Sequence, residues 1–363
     1  MKVRFRYLEK TFKGININKS IKKFISAGKF LDEEYRKKFE QKISLKYKRN
    51  CIAVSSGTNA LFLILKSLKL KKNDEVLVPC LSWLSTFAAV KYAGGIPVGT
   101  DINDDLQMSV DDLEKKINSK TKAIIFVHFT GLVTDLRRIK KICNKKKITL
   151  IEDAAQVFGG KINNTLAGTF GDFSMFSFNP MKIINSTGHM GIILFKNKKL
   201  RKLFETYLYV GTVNKEKAIL SEINHKADNF QMMFVTEKIN FLKNLIRRRI
   251  KIAKLYDEKL TNKISKPPLK MDFSHIYYDY VIQTNYRDEL KKFLAKKKIE
   301  VKIRHPYLIG DHRPFKRKNN SNHYKSGTKI VKKILNLPID ENLNLKQVNY
   351  IIGTINNFFK NKK

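Results

Sequence analysis

Between residues 50 and 195, short apolar runs alternate with stretches whose apolar residues recur at helical spacing. The runs EVLVP, IPVGT, KAIIFV, ITLIED, FSMFSF and GIILF are too short for helices and rich in β-branched and aromatic residues, so they predict buried strands. The segments 59–68, 85–92, 109–117 and 135–144 lie between them and predict helices. Strand–helix alternation of this kind gives a parallel or mostly parallel sheet covered on both faces. Ligands in such sheets gather beyond the carboxyl ends of the strands. The residues just past each apolar run are therefore the first place to look for chemistry.

Further on, 229–260 reads as one long helical stretch, with apolar residues at helical spacing around IRRRIKIAKLY. Pro267 and Pro268 in KISKPPLK then break the pattern. The run IYYDYVIQT and helical segments near 288–297 and 345–359 make a smaller α+β unit. The expected division is an N-terminal arm over 1–13, a large α/β domain over 14–258 and a small C-terminal α+β domain over 259–363. The arm is expected to pack on the body or on a partner.

The formal net charge is +41, carried by 73 lysines and arginines against 32 acidic residues. A charge of that size raises the question of nucleic acid. The lysines are spread along the chain, however, as in KKICNKKK, KNKKLRK and KRKNNSNHYK, and no arginine–aromatic platform accompanies them. Together with the abundance of Ile and Asn they fit drift toward AT-rich codons and solvated helix faces. Nucleic acid is not an expected partner; a positive field does suit an anionic small substrate. Cys51, Cys80 and Cys143 are widely spaced and form neither a metal-like pair nor a disulfide framework, which fits a reducing compartment. No metal site is expected. No apolar run approaches the length of a membrane span, and MKVRFRYLEK lacks the apolar core of a secretory signal, so a cytoplasmic location is expected.

Several residues past the predicted strands have both a plain reading and a chemical one. In SSGTNAL, Gly57 and Thr58 open a helix whose free N–H groups suit a phosphate, although Ser-Gly-Thr is also an ordinary helix cap. Trp83, the only tryptophan, offers a flat face for a ring or a plain core contact. His128 in VHFTG reads as a satisfied histidine that shapes the site. Asp153 in IEDAAQ ends an apolar strand, where a carboxylate needs a partner or serves as a helix cap. Lys182 in FSFNPMK is one lysine among many, but it shares a loop with Ser177.

Taken jointly and in order, these pieces resemble the DegT/DnrJ/EryC1/StrS family of pyridoxal-phosphate sugar aminotransferases, over about residues 12–360. The resemblance implies the type I aminotransferase fold: a mostly parallel central sheet flanked by helices, with a smaller C-terminal α+β domain. It implies pyridoxal 5'-phosphate as cofactor, with Lys182 bonded to its aldehyde and Asp153 paired with its ring nitrogen. By the same resemblance Gly57, Thr58 and Ser177 hold the phosphate, Trp83 covers the ring and Gln156 contacts the phenolic oxygen. Asn229, in a motif near the start of the long helix, reaches the phosphate of a neighbouring subunit, which implies a homodimer with shared sites. Arg304, His305 and His312 in IRHPYLIGDHRPF fall on the substrate side, and LNLP over 335–338 fits the family's closing motif. The implied reaction moves an amino group from an amino-acid donor, L-glutamate, to a nucleotide-linked keto sugar, for polysaccharide, glycan or secondary-metabolite synthesis.

The chain departs from the family pattern at the turn Gly188-His189-Met190-Gly191, where an acidic and a small residue are expected, at Gln231, where an arginine is expected, and in IRHPYLIGDHRPF, where the family's His-Tyr-Pro motif is altered. Two other functions are weighed against transamination. A sugar dehydratase or deoxygenase replaces the lysine in some relatives, and Lys182 stands against it. A binding protein for an anionic partner draws on the altered turn and the charge.

Overall fold

The computed structural model describes residues 1–315, 324–360 and 362. Most of the basic run 316–325 lies outside them. Seven strands form the central sheet: β1 Asn50–Val54, β2 Glu75–Pro79, β3 Ile96–Thr100, β4 Thr121–Val127, β5 Thr149–Asp153, β6 Phe173–Ser177 and β7 Gly191–Phe195. Their order across the sheet is β1-β7-β6-β5-β4-β2-β3. Only β7 runs against its neighbours; β2–β3, β2–β4, β4–β5 and β5–β6 all pair in parallel. All six apolar runs singled out in the sequence are strands. β1 is the addition: NCIAV was not among those runs, although it is buried from Cys51 onward.

Both faces of the sheet are covered, as the parallel arrangement requires. Side chains alternate across a strand with a period of two. Leu77, Ile124, Phe126 and Leu150 accordingly enter one core, and Val76, Val78, Ile125, Val127 and Ile151 enter the other. The helices Gly57–Ser67 and Leu84–Tyr92 pack on each other, and the former also lies against β6 and β7. Ser56 and Ser109 cap their helices by accepting the backbone N–H three residues on, from Asn59 and Asp112.

The long stretch 229–260 is two helices, Asn229–Ile239 and Leu242–Lys259, rather than one. The burial pattern explains the division. Met232, Met233, Phe234 and Val235 are buried in succession, so the first helix is covered nearly all round. The second buries Leu242, Ile246, Arg249, Ile250, Ile252, Ala253 and Tyr256 on one side and turns its lysines and its remaining arginines to solvent. Asn240 and Phe241 stand where one pattern gives way to the other.

Beyond residue 260, Tyr280–Gln283 pairs antiparallel with Ile334–Leu337, and the helices Arg287–Lys296 and Leu345–Lys360 pack together beside them. The first residues of the chain lie on this part of the body. Val3 exchanges backbone hydrogen bonds with Lys298 and Glu300, and the Arg6 guanidinium donates to the carbonyls of Ile339 (2.6 Å) and Tyr278. Among the described residues no helix is long and apolar enough to cross a membrane, and no group of three or more metal-ligating side chains is placed to hold a metal ion. Cys51, Cys80 and Cys143 are buried free thiols.

Candidate active site

Because the parallel strands all point one way, their carboxyl ends meet along one edge of the sheet. β1 leads into Ser56 and Gly57, β2 into Ser82 and Trp83, β5 ends at Asp153, and β6 ends at Ser177 ahead of the lysine loop. Together with residues of the C-terminal part they enclose a cavity of about 290 Å³.

Gly57 begins its helix against Ser177. A Cβ there would sit 2.7 Å from Ser177 Cβ and 3.1 Å from Met175 Cε, so only glycine lets the helix start and the strand end approach this closely. Beside it the Thr58 and Ser85 hydroxyls are hydrogen-bonded at 2.8 Å. The result is a run of small polar groups and free helix-start N–H groups opening into the cavity, the donor set an anionic group prefers.

Asp153 is 7% exposed. Its Oδ2 accepts from Thr86 Oγ1 at 3.1 Å and its Oδ1 from the Ala155 amide at 3.2 Å. Burial pushes the carboxyl above its ordinary value; the Ala155 amide and the Lys182 charge pull the other way without cancelling it. A carboxylate held by two neutral donors at the floor of a cavity is ready to take a cationic N–H. Gln156 lies in the same cavity, its Oε1 accepting from the Thr130 amide at 2.8 Å.

The loop is anchored on both sides of Lys182. Lys182 N donates to Asn179 O at 2.8 Å, and Ile183 and Ile184 are buried behind it. The Lys182 ammonium rests 4.6 Å from the centre of the Tyr278 ring. Arg304 enters from the C-terminal part. Its Nη1 donates to both Asp279 oxygens at 3.0 and 3.1 Å, and its Nη2 donates to the Tyr278 hydroxyl at 2.8 Å. Burial alone would lower the Arg304 pKa, but Asp279 and Tyr278 raise it overall. His305 packs edge-on against Phe129 and Trp83, with ring centres 4.9 and 6.1 Å away. Burial and the neighbouring Arg304 charge push its imidazole down to about 4, so it is neutral at ordinary pH. Trp83 opens the helix Leu84–Tyr92 and is 55% exposed at the mouth.

The cavity thus brings together Gly57, Thr58, Trp83, Asp153, Gln156, Ser177, Lys182, Arg304 and His305. Outside it lie His312, expected on the substrate side, and Asn229, expected at the site of a neighbouring subunit. Asn229 is buried elsewhere, with its Nδ2 donating to the carbonyls of Lys29 (3.1 Å) and Asp32 (2.8 Å). His312 lies against Tyr307, ring to ring at 5.8 Å. His128 is fully buried behind the site, with Nε2 3.0 Å from Glu152 Oε2.

Among the other cavity residues, Thr86 falls in the stretch Ser82, Trp83 and Thr86 that resembles the family's, but its contact with Asp153 was not expected, and Tyr278 was not singled out. Thr86 stands one helical turn past Trp83, and a buried carboxylate in need of a donor was the available clue. Tyr278 gave none, since nothing in its own segment ties it to a lysine so far away in the chain. Two of the departures from the family pattern touch each other: Gln231 Oε1 accepts from the Gly188 amide at 2.8 Å and from Thr187 Oγ1 at 3.0 Å. The turn that carries His189 to the cavity is held by the residue that replaces the expected arginine.

A lysine amine and a buried carboxylate across one cavity, with a glycine-opened helix start beside them, match what pyridoxal phosphate demands of a protein. On this sheet topology they define a pyridoxal-phosphate-dependent aminotransferase. Comparison with known proteins agrees and is more specific: the profile of the DegT/DnrJ/EryC1/StrS aminotransferase family matches residues 13–356, and the chain belongs to that family. It is 30% identical over 343 residues to the GDP-perosamine synthase of Escherichia coli O157:H7, covering 93% of this chain and 92% of that protein. The dTDP-3-amino-3,6-dideoxy-alpha-D-galactopyranose transaminase of Aneurinibacillus thermoaerophilus is 28% identical over 335 residues, covering 90% of this chain and 89% of that one. The crystal structure of NtdA from Bacillus subtilis, with the cofactor PMP bound, superposes with a TM-score of 0.91 at 26% identity, over 99% of this chain and 85% of that one.

Proposed function

We propose that this enzyme transfers an amino group from L-glutamate to a nucleotide-linked keto sugar, in the cytoplasm, as a step in making an amino sugar for polysaccharide, glycan or a secondary metabolite. The named activities of the two sugar-nucleotide relatives support the acceptor. The observation that carries the reading is the placement of Lys182 and Asp153 in one cavity.

When bound, pyridoxal phosphate supplies the electron sink that makes a Cα proton removable. The helix-start amides of Gly57 and Thr58, with the Ser177 hydroxyl, take its phosphate. Asp153 keeps a proton on its ring nitrogen, and the raised carboxyl explains why a cationic partner is favoured there. Trp83 covers one ring face, and Gln156 faces the phenolic oxygen. Lys182 would hold the cofactor by its aldehyde, and its amine, once freed, would serve as the base that takes up the donor's Cα proton and gives it back to the cofactor. Arg304 and His305 border the substrate side: one a fixed cation, the other a neutral ring. The working unit we propose is a homodimer, in which Asn229 of each protomer reaches toward the phosphate of the other's site.

The test is the visible absorption spectrum with added pyridoxal phosphate, beside Lys182→Ala, before and after L-glutamate. A band in the wild type alone, bleached by glutamate, supports both the lysine and the donor. An identical band in both proteins overturns the assignment of Lys182. A band that glutamate leaves unchanged overturns the donor.

A further inference from the structure

The ring of Tyr278 is surrounded by positive charge. Lys182 Nζ lies 4.6 Å from its centre, Arg304 Cζ 5.0 Å and Arg6 Cζ 5.3 Å. The ring is 1% exposed, so these contacts are made almost without competing water. An aromatic face attracts a cation, and the attraction grows as the pair is desolvated. The phenol oxygen is engaged as well, accepting from Arg304 Nη2 at 2.8 Å.

The backbone aims this ring at a cost. Tyr277 has a φ of +50°, a left-handed conformation that bulky residues avoid. His275 holds it there, stacked on the Tyr277 ring at 3.9 Å with 9° between planes. Thr130, on the segment facing it, also has a positive φ of +59°, and its carbonyl accepts from the Asp279 amide at 3.1 Å. Strain of this kind persists where the surrounding structure over-determines a geometry that function uses.

The support continues to the N-terminal arm. Asp279 Oδ1 accepts from Arg304 Nη1 at 3.0 Å and from Arg6 Nη2 at 3.2 Å, so one buried carboxylate pins two guanidiniums. Arg6 also donates to the Tyr278 carbonyl.

We propose that Tyr278 is a positioning residue for Lys182: its ring is the seat on which the lysine amine rests and is aimed whenever that amine is not bonded to the cofactor, and Arg304, Asp279 and Arg6 of the arm hold the seat in place. The inference rests on the reading that Lys182 carries the cofactor. It gives the first residues of the chain a role in the reaction although they do not line the cavity. The direction in which the phenol is displaced agrees: burial pushes it up, but the Lys182 and Arg304 charges outweigh burial and hold it below the ordinary tyrosine value.

The experiment follows covalent capture of Lys182 by pyridoxal phosphate, fixed with borohydride and quantified on the Lys182 peptide by mass spectrometry. Steady-state kinetics with glutamate are measured beside it. Tyr278→Leu, which removes the ring, slows capture and lowers kcat about tenfold to thirtyfold, the worth of a desolvated cation–π contact, while KM for glutamate stays within about twofold. Tyr278→Phe keeps the ring and loses only about threefold, and Arg6→Met falls between the two. Should Tyr278→Leu not fold, Tyr278→Met carries the same expectation. Capture at the wild-type rate in Tyr278→Leu overturns the proposal, as does a loss in Tyr278→Phe as large as that in Tyr278→Leu. If Lys182 of the wild type is never captured, the cofactor reading fails first and the inference with it.

Discussion

Thr86 Oγ1 stands 3.1 Å from Oδ2 of Asp153, and this contact joins the helix behind Trp83 to the end of β5. The Ser82 hydroxyl lies 3.0 Å from the same Thr86 oxygen, so the threonine is held in a short chain of hydroxyls that ends on the carboxylate. One helix start therefore carries both Trp83 at the cavity mouth and the hydroxyl that donates to Asp153. Removing a hydrogen bond to the charged form raises a carboxyl pKa further. Thr86→Val is expected to move the acid limb of kcat/KM to higher pH and to cost about tenfold near neutrality, in line with ~1–3 kcal/mol for a donor lost from a buried charge. Asp153→Asn is expected to lower kcat by about 10²–10⁴-fold at every pH. A pH–rate profile of the glutamate half-reaction reads both variants, and an unmoved acid limb in Thr86→Val counts against this coupling.

At Gly57 the prediction is steric. With Ser177 Cβ 2.7 Å from the position of an added Cβ, Gly57→Ala must push β6 and the helix start apart. Overpacking of this kind costs ~1–3 kcal/mol. The cost should appear mainly as weaker cofactor binding, about tenfold or more, because the displaced groups are those proposed to face the phosphate. A titration with pyridoxal phosphate followed by absorbance measures it; unchanged affinity means that the phosphate lies elsewhere.

Lys238 links pH to stability. It is 1% exposed, and it donates to Thr11 Oγ1 at 2.7 Å and to Asn185 in the lysine loop. Burial lowers its pKa to about 8 from an unfolded value near 10.5, against the opposing pull of Glu341. Between those two values the unfolded chain binds the proton that the folded chain has released, so this group makes the fold more stable as pH rises from about 8 to about 10.5. Below pH 8 the cost of the buried charge is fully present. The gain is on the order of 3 kcal/mol. Urea unfolding at pH 7.5 and pH 10 reads the difference, and Lys238→Met is expected to abolish that part of it.

His128 and Glu152 make a buried pair, and Glu152 also accepts from the amides of Gly168 (2.7 Å) and Gly171 (2.6 Å). The pair ties β4 and β5 to the loop that leads into β6. His128→Ala leaves the carboxylate short of a partner and opens a void, at a cost of about 2–4 kcal/mol of stability. Turnover at temperatures well below unfolding should fall by less than about threefold, because a structural loss acts on the folded fraction and not on the chemical step. A large loss of kcat in a protein of normal stability would instead give His128 a part in the chemistry.

Much of this was legible in the sequence because it depends on local rules. Apolar runs of strand length bounded by turn residues place most of the sheet. Helix caps such as Ser56 and Ser109 are short-range chemistry, and a ligand at the carboxyl edge follows from the alternation of elements. β1 was harder to see because NCIAV carries a polar start and a cysteine, and its burial comes from β7, which reaches it only after more than a hundred residues of chain. The break at Asn240 is likewise invisible in the local pattern, since each half of 229–260 is helical on its own terms and only the surroundings of each half differ.

The sequence by itself determined the class of fold and singled out Lys182 and Asp153, because periodicity, turn chemistry and an aspartate and a lysine at or just past the ends of neighbouring strands are features of nearby residues. Only the tertiary structure decided what those groups touch. Tyr278 beneath Lys182, Asp279 shared by Arg6 and Arg304, and Gln231 against the Gly188 turn each join segments far apart in the chain. Such contacts depend on how separate elements pack, and burial and charge at the meeting point set the properties of each group there.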